Sequence, residues 1–247
     1  MPRSGKRSAM RPKRPDSNLL QALRNEDFAL IERFLMEEVR ESEDVLYNPG
    51  DNIAKVYFPL GPSLVSYLVP NIEGRDVETV LVGREGAVGG IVSSGFLPAY
   101  CRIIVKYGGN FACATVSSIQ AAKEQSISFR RLFARYADCL MAQMFQATAC
   151  NAIHSIEQRS AKWLIAAIDR TGSDTVPLSQ EQLASLLGVG RSYTSRVIQN
   201  LKADGVLETA RGKLTVKNRD LLAAKACDCN ESIKSHFEVV LRGVYPD

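Results

Sequence analysis

Histidine is scarce in this chain: His154 and His236 are the only two among 247 residues. That leaves little material for general acid–base chemistry on imidazole. Gly-x-Ser-x-Gly, a Walker loop and His-Glu-x-x-His are all missing, so hydrolysis and phosphoryl transfer find no support. The carboxylates Glu37-Glu38 and those from Glu41 to Asp44 read as a solvated helix end. The chain is therefore expected not to be an enzyme. No apolar run approaches the roughly 18–20 residues that span a bilayer, so no membrane partner is expected. Cysteine occurs six times and never before Cys101. The basic start, Met1 to Pro15, lacks the apolar core of a secretory signal. Reduced thiols in the cytoplasm are expected rather than a disulfide framework, and whether any is redox-active depends on its local pKa.

What is present is partitioned. The formal charge of +4 combines +5 over residues 1–16, −3 over 17–154, +3 over 155–220 and −1 over 221–247. Residues 1–16 read as a disordered basic arm, either an auxiliary DNA or surface contact or a solvated tail. Residues 17–128 begin with a helical stretch, Asn18 to Arg40. Short β-branched and aromatic runs follow from Val45 to about Ile127, broken by Gly, Pro and Asn, with Glu73-Gly74 as one hairpin turn. That punctuation predicts an antiparallel barrel or sandwich. Residues 129–156 form one long helix without Gly or Pro. Apolar stripes on two of its faces both require burial. One can cover the barrel; Leu132, Tyr136, Cys139, Leu140, Gln143, Ala147 and Cys150 are expected to meet the same helix of a second copy, the alternative being a helix buried wholly within its own chain. Residues 221–247 continue an amphipathic helix that starts near Asn218.

Residues 157–220 carry the sharpest signal. Pro177 to Leu201 reads as two helices around Gly188-Val189-Gly190. Ser179 and Gln182 make a capping-box pattern, and Gly188 suits the left-handed residue that ends a helix. The second helix buries Val197, Ile198 and Leu201, leaving Arg191, Ser192, Ser195, Arg196 and Gln199 to face outward. A helix-turn-helix places such a face against base edges in the major groove of double-stranded DNA. Two strands, Val206 to Ala210 and Lys213 to Val216, add a wing. Ser179, Gln180, Tyr193, Lys202, Arg211 and Lys213 are placed for phosphate contacts, which position the protein without reading sequence.

Tyr47-Asn-Pro-Gly-Asp with Val56-Tyr-Phe-Pro, Arg159-Ser-Ala-Lys-Trp-Leu164 and the winged helix together resemble the Crp/Fnr superfamily of bacterial transcription regulators over residues 18–225. The resemblance implies an α+β fold: an N-terminal antiparallel β-roll or jelly-roll barrel like those that bind cyclic nucleotides, a central dimerisation helix and a C-terminal winged helix-turn-helix. It further implies a homodimer on a palindromic operator, with RNA polymerase as partner for an activator. Arg196 matches the family arginine that reaches guanine, and Ser192 replaces a glutamate that would accept from cytosine. The cyclic-AMP cassette is not intact: Gly90 stands where the ribose-binding Glu would be, and Tyr100-Cys101 where Arg-Ser would be. Gly89, Gly90, Ile91, Tyr100 and Arg102 are the candidate effector pocket, with Arg102 as a partial substitute, although glycines in a barrel also serve tight corners. Cyclic nucleotide, iron–sulfur cluster and haem are not expected, since no cysteine precedes Cys101 and no histidine lies in the barrel.

No metal is expected. Cys150 and His154 stand i, i+4 on the long helix, and Cys227, Cys229 and His236 offer a second set. Residues i and i+2 on one helix point apart, however. The rival reading is a barrel-type small-molecule-binding protein or enzyme whose C-terminal domain makes protein contacts.

Overall fold

The computed structural model describes residues 14–70, 76–91 and 97–245. The Glu73-Gly74 turn and residues 1–13 of the basic arm lie outside these. Two short helices, α1 (Asn18–Gln21) and α2 (Asn25–Ile31), precede β1 (Met36–Arg40), β2 (Val45–Tyr47), β3 (Lys55–Pro59), β4 (Leu64–Pro70), β5 (Asp76–Val82), β6 (Arg102–Tyr107) and β7 (Gly109–Thr115). Two antiparallel sheets result, β1-β7-β3 and β2-β6-β4-β5. Between them lies a core of Tyr47, Tyr57, Val65, Val80, Val82, Ile103, Val105 and Phe111. Alternate residues of each strand point into it, as the period-2 pattern requires.

Two sequence expectations give way here. Met36 to Arg40 is a strand rather than the end of a helix, because its backbone pairs with β7 from Met36–Cys113 to Arg40–Gly109. Tertiary pairing overrides the helix preference of Met-Glu-Glu. Arg14 belongs to the folded body: its guanidinium donates to the carbonyls of Gln21 (2.9 Å) and Leu23 (2.5 Å) and to Asn25 Oδ1 (2.7 Å).

Glu38, on β1, meets Lys55, Cys113 and Arg40. Its hydrogen bond with Lys55 leads the causes that hold its carboxyl down, to about 2 from an ordinary 4.5. A depressed carboxylate adds stability above its unfolded pKa and loses it as pH falls through the folded one. Partial exposure screens the pair, so Glu38→Gln is expected to cost on the order of 1 kcal/mol at pH 7. Urea midpoints of the two proteins should converge as pH drops from about 4.5 towards about 2; a gap constant with pH would refute this.

Behind the first sheet lie α3 (Val116–Gln125) and α4 (Ile127–Ile153). Thr115 caps α3 by accepting from the Ser118 N–H, and Ser126 caps α4 from Phe129. A second core joins Leu19, Leu20, Phe28, Phe58, Ile119, Phe129, Phe133, Tyr136 and Cys139 to Phe237. Next come α5 (Ile156–Thr171), β8 (Thr175–Val176), α6 (Gln180–Leu186), α7 (Arg191–Ala203), β9 (Leu207–Ala210), β10 (Lys213–Val216), α8 (Arg219–Lys225) and α9 (Cys229–Val240). The expected single C-terminal helix is broken at Ala226-Cys227-Asp228. A third core unites Leu64, Leu68, Leu81 and Ile104 of the second sheet with Trp163, Leu164, Leu183, Leu186, Ile198 and Leu201. The C-terminal segment therefore packs directly on the outer face of that sheet. Among the described residues no helix is long and apolar enough to cross a membrane.

Candidate nucleic-acid interface

Capping and turn chemistry set the geometry of this segment. The Ser179 hydroxyl accepts the Gln182 N–H at 3.1 Å, while Gln182 Oε1 accepts the Ser179 N–H at 2.8 Å. Gly188 adopts φ +68, and a Cβ there would lie 3.1 Å from a methyl of Val77 on β5. Both the left-handed backbone and the close approach require glycine. The Gly188 and Val189 N–H groups then close the turn on the Ser185 and Ala184 carbonyls, at 2.9 and 3.0 Å.

That turn aims α7. Its inner face buries Thr194, Val197, Ile198 and Leu201. Thr194 as a buried member was not legible from its polar side chain. Arg191, Ser192, Tyr193, Arg196 and Gln199 stand on the outer face, exposed, and Ser195 is half-buried. Ser195 donates to Gln180 Oε1 at 3.0 Å, tying the start of α6 to α7. The Arg196 guanidinium lies 5.7 Å over the Tyr193 ring, and Arg191 makes only a long, exposed contact of 3.9 Å with Glu181. Exposed pairs of that kind hold charges weakly, so both guanidinium groups are available to a ligand. Lys202, Arg211 and Lys213 are exposed, the last two flanking Gly212 at the hairpin tip between β9 and β10. The hairpin is extended by β8, which pairs with β10. Exposed Lys217 adds a wing cation that the sequence reading passed over.

Residues 158–225 match the Crp-like helix-turn-helix domain. No curated protein matches the chain in sequence. In structure, the chain is similar to FixK2 from Bradyrhizobium japonicum, with 16% identity and a TM-score of 0.65, over 78% of this chain and 98% of that one. It is also similar to the c-di-GMP-responsive global regulator CLP of Xanthomonas campestris (15%, TM-score 0.64, 79% and 100%). A third likeness is to a CRP-family transcriptional regulator from Thermus thermophilus, TTHB099 (17%, TM-score 0.63, 76% and 96%). The chain thus has the fold of Crp/Fnr-type regulators, with a Crp-like helix-turn-helix domain.

Among the described residues, three polar links anchor the Crp-like domain to the barrel. Trp163 Nε1 donates to Glu78 Oε1 at 2.6 Å, and Ser185 Oγ donates to the Asp76 carbonyl at 3.1 Å. Arg170 Nε meets Glu85 Oε1 at 2.8 Å, with both side chains almost fully buried. Burial acts to lower the Arg170 pKa, but the charge of Glu85 and the hydrogen bonds that Arg170 donates to Glu85 and Tyr245 raise it overall, so the guanidinium stays charged. Burial raises the Glu78 carboxyl, against the hydrogen bonds from Ser66 and Trp163. Glu78, Arg159, Lys162 and Arg170 line a cavity of about 70 Å³ in this seam.

Other expected site residues fall elsewhere. Gly89 has φ +92, and Cβ atoms on Gly89 and Gly90 would lie 2.3 Å from the Lys55 carbonyl oxygen and 2.6 Å from a Val116 methyl. These glycines therefore serve close packing, Ile91 is part of a core, Tyr100 is 85% exposed, and Arg102 is engaged by Asp76 at 2.6 Å. They do not converge on one pocket. On α4, Tyr136, Cys139, Gln143 and Cys150 are buried within their own chain, and Leu132, Leu140 and Ala147 are half-buried. The barrel and α9 cover the side that was assigned to a second copy. The free apolar face is instead Met141, Met144 and Phe145, together with Ala134 and Ala137.

The thiols are also resolved. Burial leads the causes that push Cys113 up to about 11, and Cys139 and Cys227 up to about 12; it raises Cys101 as well. None of these four is a ready thiolate nucleophile. The expectation of no metal meets a contrary arrangement: Cys150, His154, Cys227 and Cys229 converge. Cys227 precedes α9 and Cys229 opens it, so the rule about residues two apart on one helix does not apply. His236 stays apart, 3.1 Å from Asp138.

Proposed function

We propose that the chain is a sequence-specific transcription regulator that reads a palindromic operator as a homodimer. The observation that carries this reading is the outer face of α7, where Arg191 and Arg196 are exposed while Val197, Ile198 and Leu201 are buried. In such a docking, Arg196 donates in bidentate fashion to guanine O6 and N7, with Arg191, Ser192, Ser195 and Gln199 beside it. Ser179, Gln180, Tyr193, Lys202, Arg211 and Lys213 meet phosphates. A twofold pair sets two such helices about one helical turn of DNA apart. The α4 face of Met141, Met144 and Phe145 supplies the apolar seam between copies. Loss of the cyclic-AMP cassette is supported by the engagement of Arg102 with Asp76 and by the outward Tyr100. The barrel then serves as a support, or as a sensor for a ligand other than cyclic AMP.

Selection on random duplex DNA tests the proposal. Retained sequences are expected to share two inverted half-sites, with log affinity falling by about 0.9 per neutralised phosphate per decade of salt. Arg196→Ala is expected to lower operator affinity by about 1–3 kcal/mol and relax one base position in each half-site. Absence of retention even at low salt would overturn the reading, and an unchanged operator affinity in Arg196→Ala would remove Arg196 from the interface.

A further inference from the structure

The end of α4 and the break between α8 and α9 bring four soft donors together, although 72 residues separate His154 from the next of them along the chain. Cys150 lies on the last turn of α4. His154 is its C-cap, with extended backbone (φ −96, ψ 145) after the helix stops. Cys227 occupies the break and Cys229 begins α9. Sγ of Cys150 and Sγ of Cys227 are 3.7 Å apart, and Sγ of Cys229 and Nδ1 of His154 are 3.5 Å apart. All four donor atoms lie within 4.8 Å of one another.

Those separations can be compared with a coordination sphere. Tetrahedral zinc with bonds of about 2.3 Å to sulfur and about 2.0–2.1 Å to nitrogen has edges of about 3.7 Å between sulfurs and about 3.5 Å from sulfur to nitrogen. The Cys150–Cys227 and Cys229–His154 separations match these edges. A set of three cysteines and one histidine is the donor type of closed structural zinc sites, and thiolate with imidazole selects zinc over hard cations. Four donors packed this tightly enclose a single ion and leave no room for a multi-iron core.

The surroundings complete the case. Three thiolates and a neutral imidazole around Zn²⁺ leave one negative charge, and the buried Arg159 guanidinium stands near Cys150 and Cys227 to balance it. Gln146 Nε2 lies 3.1 Å from Cys229 Sγ, placed to donate to a metal-bound thiolate. Such outer partners orient ligands and tune the ion. Arg159 Nη2 also donates to the Leu187 carbonyl at 2.7 Å, at the C-terminal end of α6.

We propose that Cys150, His154, Cys227 and Cys229 bind one Zn²⁺, which fastens the end of the long helix to the start of α9 beside the turn that aims α7. The site is independent of whether the chain reads an operator.

The test uses the untagged full-length protein, purified in reducing buffer without chelator. Elemental mass spectrometry is expected to find one zinc per chain. Replacement by Co²⁺ should give the intense visible bands of a tetrahedral ion and the near-ultraviolet charge transfer of thiolate ligands. Cys229→Ser and His154→Ala should each weaken zinc retention at least tenfold against a competing chelator, while Cys101→Ser, in the barrel, retains it. Should those variants fail to fold, wild-type protein stripped by chelator and then given Zn²⁺ provides the second measurement: its melting temperature should rise on addition. The proposal is overturned by folded wild-type protein that carries no zinc and takes up no Co²⁺. An iron–sulfur spectrum, a Cys150–Cys227 disulfide recovered from reducing buffer, or equal zinc retention in Cys229→Ser and Cys101→Ser would overturn it equally.

Discussion

Replacing Arg170 with alanine is expected to destabilise the protein by about 3–5 kcal/mol, because it strands a carboxylate in the interior. Glu85 is 1% exposed and Arg170 5%. One oxygen of Glu85 accepts from Arg170 Nε at 2.8 Å and from the Gly83 N–H at 3.1 Å, and its other oxygen has no partner. Arg170 also donates to the Ala166 carbonyl and the Tyr245 hydroxyl. Without Arg170, Glu85 keeps a single protein donor, the Gly83 N–H, at a position only 1% exposed. Trp163, the only tryptophan in the chain, lies on the same helix and meets Glu78 across the same seam. Its fluorescence during urea unfolding reports the loss directly. The paired change Glu85→Leu with Arg170→Met should recover most of the stability, since a buried ion pair is often no better than an apolar replacement. A cost below about 1 kcal/mol for Arg170→Ala would mean that solvent already reaches Glu85.

This pair shows what could and could not be read along the chain. The helix-turn-helix was legible because its determinants are local: Ser179 and Gln182 three apart, a glycine at the left-handed position, and Leu183, Leu186, Leu187, Val197, Ile198 and Leu201 at helical spacing. The strands from Val45 onward were legible from β-branched runs and turn residues. Met36 to Arg40 was not, because pairing with β7 decides it and nothing in Met-Glu-Glu-Val-Arg announces a strand. The start of α3 did carry a signal, Thr115 followed by Ser118, hidden at the end of a strand. The apolar stripes of α4 were visible, but which surface covers each depends on α9 returning more than seventy residues later. Glu85 and Arg170 are likewise 85 residues apart. The donor cluster was obscured by a helix break between Asn218 and Arg242 that no glycine or proline marks. Asp228 with Glu231 three residues on was the available hint of a new helix start.

Tyr136 turns the revised account of α4 into an experiment. Its hydroxyl donates to the Ala87 carbonyl and accepts the Ala87 N–H, both at 3.0 Å, and the side chain is 1% exposed. Ala87 is fully buried in the segment that follows β5. One hydroxyl therefore satisfies both backbone groups of a residue that belongs to no strand. Tyr136→Phe keeps the ring and leaves that N–H and C=O without partners, at a cost of about 2–4 kcal/mol. Tyr136→Ala adds the cavity of a lost ring and should reach about 5 kcal/mol or more. Neither is expected to change self-association of the folded protein, because the ring faces its own barrel. Phe145→Glu should do the reverse: Phe145 is 71% exposed, so the charge costs little stability in one chain but weakens an apolar seam between two. Sedimentation equilibrium beside urea unfolding separates the outcomes. If Tyr136→Phe weakened association while stability held, the ring would face a second copy, and the assignment of this face to the chain's own core would fail.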